Sequence, residues 1–180
     1  MAPKTKKITL GIIGGVIALF ALVILVAPKD FHVERSITIN RTSEQVFAYL
    51  KSLRRGEQWS PWHKLDPNIK MEYRGTDGTV GAVAAWAGNE QVGEGEQEIT
   101  AITEGERIDY ELRFMKPMEG TSTSSLFTKK LDSGRTEVTW TMDGHNEFPF
   151  NVLCLIFNGK DMIGDQFDEG LNNLKTVIER

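Results

Sequence analysis

The chain is poor in the residues that most reactive sites are built from. Among 180 residues there is one cysteine, Cys154, and there are three histidines. A lone cysteine excludes an intramolecular disulfide and argues against a cysteine zinc site. His32, His63 and His145 show no metal-ligand spacing with one another or with Cys154. No Gly-x-Ser-x-Gly motif and no cysteine-centred nucleophile is present. Basic charge is also scarce. With Lys4, Lys6 and Lys7 set aside, residues 28–180 hold 18 basic and 25 acidic side chains, a net of −7. That balance argues against nucleic acid as a partner, which needs a basic stripe to neutralise phosphates. Gly88, Gly93 and Gly95 form no phosphate loop: they lack a trailing lysine and stand among Glu90, Glu94 and Glu96. A hairpin with bulges accounts for them better. There is no repeat and no low-complexity run, and neither a cofactor nor a metal is expected.

What the chain has is one long uncharged run, residues 8–27. As a helix it would span roughly 30 Å, the thickness of a bilayer core. Residues 1–7 form a short basic tail before it. A cleaved signal peptide fits less well, because Pro28 follows Ala27 and Leu25 stands where a small residue is wanted. The expectation is a single-pass anchor, with the lysines of the tail on the cytoplasmic side and the following domain extracytoplasmic. Gly11 and Gly15 make a GxxxG spacing, from which a weak homodimer is expected.

Beyond a linker and strand start at 28–33, the pattern is that of one domain, 34–180. Residues 31–40 alternate apolar and polar, a half-buried strand. Thr42 and Gln45 form a capping box ahead of a short amphipathic helix over 43–53. Residues 57–67 carry two tryptophans and two prolines and cannot form a long regular element. Period-two segments follow at 70–75, 80–87, 93–103, 107–116, 122–131 and 136–144. The clearest sets Ile108, Tyr110, Leu112 and Phe114 against Asp109, Glu111 and Arg113. One face is dry and the other wet, as in an antiparallel sheet covered on one side. Residues 148–157 are almost wholly apolar, and the segment 148–158 reads either as a lid or as first turns of the last helix, broken at Asn158-Gly159. The last helix carries Met162, Ile163, Phe167, Leu171 and Leu174 at three- and four-residue steps, with Gly164 and Gly170 inside it. The order is strand, helix, six strands, long helix: an α+β fold with seven strands bent over one helix.

The strings WSPWHKLDP (59–67), AWAGN (85–89), VGEGEQEI (92–99), TEVTWTMDG (136–144) and MIGDQFDEGLNNLK (162–175) resemble the polyketide cyclase/dehydrase-like proteins of the START-like (SRPBCC) superfamily. The resemblance covers residues 34–180. It implies a helix-grip fold, a curved antiparallel sheet around the C-terminal helix with a cavity between them. No general catalytic motif travels with the family, so no catalytic residue is transferred.

The expected cavity wall is Tyr73, Trp86, Leu112, Phe114, Trp140 and Met142 from the sheet, with Met162, Phe167 and Leu171 from the helix. The alternative is that these side chains fill a core. The function expected is binding of an apolar small molecule, a lipid or polyketide-like compound, by a membrane-anchored domain. Two alternatives stay open: a cyclase or dehydratase with an acid–base residue in the same cavity, and an envelope interaction module with a filled core. Asp143, His145 and Glu147 cluster at the end of the last strand, as a general base or as a solvated strand end.

Overall fold

A computed structural model describes Gly15 and residues 23–180. The basic tail and most of the expected anchor at 8–27, with Gly11 of its GxxxG, lie outside the described residues. Among the described residues no helix is long and apolar enough to cross a membrane.

Seven strands form one antiparallel sheet: β1 (Asp30–Ile39), β2 (Lys70–Arg74), β3 (Val83–Ala87), β4 (Glu94–Thr103), β5 (Arg107–Lys116), β6 (Gly120–Lys130) and β7 (Thr136–His145). Their spatial order is β1-β7-β6-β5-β4-β3-β2, so the first strand closes onto the last, with Val33 opposite Met142 and Ile37 opposite Val138. Among the described residues the helices that accompany them in the domain are α1 (Ser43–Leu50), α2 (Trp62–Leu65), α3 (Phe150–Ile156) and α4 (Gly159–Glu179). Helix α4 lies across the concave face. Its buried Phe167, Gly170, Leu171 and Leu174 meet the sheet core of Ile39, Ile99, Ile108 and Val138.

The alternation in β5 sorts its two faces. Ile108 and Tyr110 are buried, whereas Arg113 on the convex side binds Glu96, Glu98 and Glu111. Such partly exposed pairs each add little stability. Two register shifts interrupt the β4–β5 ladder: Met115 is the extra residue on β5 opposite Glu94 and Gly95, and Thr100 is the extra residue on β4 after Ile99. The first follows Gly93, whose positive φ and contact with the Lys116 carbonyl leave no room for a side chain.

Several boundaries differ from the sequence expectation, each for a local reason. The capping box of α1 forms as expected, with Thr42 Oγ1 accepting from Gln45 N–H and Gln45 Oε1 from Thr42 N–H. The helix stops at Leu50 rather than at 53. There Asp77, from the β2–β3 turn, takes the Leu53 N–H at 2.7 Å and the Ser52 hydroxyl at 2.6 Å. Strand β3 starts at Val83 rather than at 80, because Gly78 and Gly81 both adopt positive φ and hold Val80 outside the ladder. Residues 57–67 give only the end of a 3-10 turn (Arg54–Gln58) and the single turn of α2. Within the apolar stretch 148–157, Phe150–Ile156 form a separate helix, α3. Asn158, at φ 51°, breaks it from α4.

Two glycines inside α4, Gly164 and Gly170, mark close approaches. A Cβ at Gly164 would run into the Arg35 guanidinium, which crosses the helix there to reach Asp168 at 2.9 Å. A Cβ at Gly170 would stand 2.9 Å from Trp140 and 3.2 Å from Pro61.

Candidate functional site: an apolar cavity between sheet and helix

Between the concave sheet and α4 lies a cavity of about 320 Å³. Strands β2 to β7 supply its floor, through Tyr73, Trp86, Gln97, Leu112, Phe114 and Met142 among others. Ile163 and Phe167 of α4 form one wall. The segment from Leu50 to His63 forms the roof, with Leu53, Trp59 and Trp62 facing down.

Seven of the nine residues expected in the wall line this cavity: Tyr73, Trp86, Leu112, Phe114, Trp140, Met142 and Phe167. Met162 and Leu171 do not. Each residue advances a helix by about 100°, so Ile163, one position on from Met162, faces the cavity and Met162 is left 62% exposed. Leu171 shares the buried face of Phe167 but lies one turn further along, in the closed part of the core at 1% exposure. The roof is the part that strand and helix periodicity misses. Its signal is compositional: Trp59 and Trp62 stand in a segment too rich in proline to form a regular element, and their rings need somewhere to be buried.

Aromatic packing sets the shape. Trp140 stacks on Phe167 with ring centroids 4.0 Å apart and takes the edges of Trp59 and Trp62 at 5.1 and 5.8 Å. Its indole N–H donates to Ser124 Oγ at 3.0 Å, and that hydroxyl donates to the Thr141 carbonyl at 2.7 Å. Trp86 lies across Gly95 on the neighbouring strand and meets the Phe114 edge at 5.9 Å. A Cβ at Gly95 would stand 2.5 Å from the indole and 2.7 Å from the Arg113 carbonyl, so glycine is what lets Trp86 lie flat.

The polar groups of the wall are few. The Tyr73 hydroxyl donates to Glu57 Oε1, and the Arg54 guanidinium sits 4.3 Å above the Tyr73 ring. Burial, followed by the Glu57 hydrogen bond and charge, pushes the Tyr73 hydroxyl far up, so it stays a proton donor at neutral pH. Burial does the same to Tyr110. Trp59 Nε1 and both ring nitrogens of His63 are buried without a protein partner among the described residues. Each such group carries a desolvation cost of about 1–3 kcal/mol. Among the described residues no group of three or more metal-ligating side chains comes together.

The cluster at the end of β7 lies elsewhere, on the surface. His145 Nδ1 is 2.6 Å from Asp30 and Nε2 is 3.1 Å from Glu147, while His32 pairs with Asp143 at 2.7 Å. Hydrogen bonds to Asp30 and then Glu147 raise the His145 pKa. None of these residues lines the cavity. Burial pushes the Cys154 thiol up, which disfavours a thiolate nucleophile.

Residues 30–179 match the family model described as polyketide cyclase / dehydrase and lipid transport. The chain belongs to this family. Curated proteins give no match. Solved structures show how widely members of this fold diverge in sequence. A truncated norcoclaurine synthase from Thalictrum flavum aligns with a TM-score of 0.62 at 11% identity, over 85% of this chain and 96% of that one. The ZhuI aromatase/cyclase of Streptomyces gives 0.59 at 15%, over 84% and 94%. A Thermobifida fusca protein gives 0.60 at 19%, over 82% and 92%. At these identities the likeness is one of fold.

Proposed function

We propose that this polyketide cyclase/dehydrase-family chain is a membrane-anchored binder of one apolar small molecule. Residues 8–27 serve as the anchor and residues 34–180 as the binding domain. The observation that carries the reading is the cavity itself, about 320 Å³ and walled chiefly by aromatic and aliphatic side chains. Ligand pockets run from about 300 to 1,000 Å³, so this one suits a single chain or a few fused rings, not a two-chain lipid. Removing about 250 Å² of ligand surface from water would contribute roughly 6 kcal/mol before the cost of association. Orientation falls to the polar groups of the wall, Gln97 and the Tyr73–Glu57 pair. The uncharged run at 8–27, preceded by Lys4, Lys6 and Lys7, supports the anchor and an extracytoplasmic domain.

Titration of the full chain in detergent with an environment-sensitive apolar fluorophore such as N-phenylnaphthylamine tests this reading. Saturable one-to-one binding is expected, and Leu112→Trp, which fills the floor, abolishes it while the unfolding midpoint confirms a folded variant. A folded wild-type chain that takes up no apolar probe overturns the reading.

A further inference from the structure

Thirteen large apolar side chains stand exposed among the described residues, and eight of them flank one junction. They are Leu25 and Val26 on one side, and Phe148, Leu153, Leu155, Ile156, Phe157 and Met162 on the other. From Phe148 to Gly159 no residue carries a charge. Helix α3 is nonetheless fixed, not loose. Its Asn151 and Val152 are buried, and Asn151 Nδ2 donates to the Ala27 carbonyl at 3.1 Å. Ala27 is the last residue of the uncharged run, and only Pro28 and Lys29 separate it from β1. Two residues span at most about 7 Å. Helix α3 is therefore held beside the point where the run ends.

Under α3 lies a second cleft of about 230 Å³, lined by Pro28, Phe31, Cys154 and Leu155 and also by the charged Lys29, Asp30, Lys160 and Asp161. Ile163 is common to the walls of this cleft and of the main cavity.

We propose that the α3 face rests in the surface of the bilayer that holds residues 8–27, and that the cleft past Ile163 is the ligand's route between bilayer and cavity. The inference rests on the anchored-binder reading above and adds to it a membrane-contact face and a direction of loading. A short, pinned tether leaves the face little freedom to turn away from the membrane, and an amphipathic helix with an uncharged outer face gains by lying at the headgroup boundary.

The full chain in phosphatidylcholine nanodiscs provides the test. Environment-sensitive nitrobenzoxadiazole labels are placed at Ile156→Cys and Phe157→Cys in a Cys154→Ser background, with Lys129→Cys on β6 as the aqueous reference. Labels at 156 and 157 are expected to shift to the blue and be quenched by nitroxide-bearing lipids, while that at 129 responds only to aqueous quenchers. Labels at 156 and 157 as water-accessible as 129 overturn the face. Labels shielded from both quenchers also overturn it, pointing instead to a second copy or another protein. A chain stripped from the bilayer by alkaline wash removes the anchor and the proposal with it. For the route, Ile156→Glu with Phe157→Glu is expected to slow probe transfer from nanodisc to cavity at least about tenfold, within the range over which association rates vary among variants, with equilibrium occupancy unchanged. Equal transfer rates overturn the route. A wild-type chain that binds no probe refutes the cavity reading and the route together, while the quenching result still decides the α3 face.

Discussion

Replacing Gly95 by alanine tests how the cavity floor is built. One methyl group is added on the inner face of β4, where its Cβ would stand 2.5 and 2.8 Å from two atoms of the Trp86 ring and 2.7 Å from the Arg113 carbonyl. Carbon contacts normally begin near 3.5 Å, so something must shift by the better part of an ångström. The carbonyl belongs to the β4–β5 ladder and cannot give easily. The indole must therefore lift, losing its edge contact with Phe114 and entering the void above it. Overpacking of this kind costs about 1–3 kcal/mol, a fall in melting temperature of roughly 2–12 °C for a chain of this size. Probe affinity falls with it, because the lifted ring occupies ligand space. Urea unfolding and fluorophore titration read the two effects separately. Gly95→Ala combined with Trp86→Leu is expected to recover part of the lost stability, since the shorter side chain relieves one of the two clashes. A single variant with an unchanged unfolding midpoint and unchanged probe affinity would refute the claim that Gly95 exists to seat Trp86.

Gly164 and Gly170 of α4 are expected to respond differently. Gly170→Ala meets the rigid rings of Trp140 and Pro61 and should cost about 1–3 kcal/mol by urea unfolding. Gly164→Ala displaces only the flexible end of Arg35, and its helix-propensity gain of about 1 kcal/mol should leave it near neutral in the same assay. Phe167→Ala removes the ring stacked on Trp140 and should destabilise by about 3–5 kcal/mol. The raised pKa of His145 means the folded state binds its proton more tightly than the unfolded chain. Its contribution to stability is full below the ordinary histidine pKa of about 6.5 and is lost as pH rises through the folded value. The unfolding midpoint of His145→Gln should accordingly vary less with pH above that point than wild type, and NMR titration should place His145 above about 6.5.

The seven strands and the covering helix were legible because alternation in β5 and β7 and the three- and four-residue spacing in α4 each extend over several turns or pleats. Cavity residues on those elements followed from facing direction alone. Met162 and Leu171 failed for a reason that periodicity handles poorly. A helix stripe is wide, and which part of it meets a void depends on where the opposing sheet curves away. The roof was illegible as secondary structure because its position is set from a distance, with Asp77 taking the Leu53 N–H just beyond α1 and Asp66 holding the Asn89 N–H at 2.7 Å. The glycines at 164 and 170 signalled close approach without naming the partner. Arg35, Trp140 and Pro61 come from elements far apart in the chain.

The central claim, that the cavity holds an apolar molecule, is tested most directly by native mass spectrometry of the full chain released from its membrane in mild detergent, with the ejected mass identified. The account predicts one bound apolar molecule per chain, compact enough for about 320 Å³, and its loss in Leu112→Trp. A chain that is folded, carries no added mass and binds no apolar probe would contradict it.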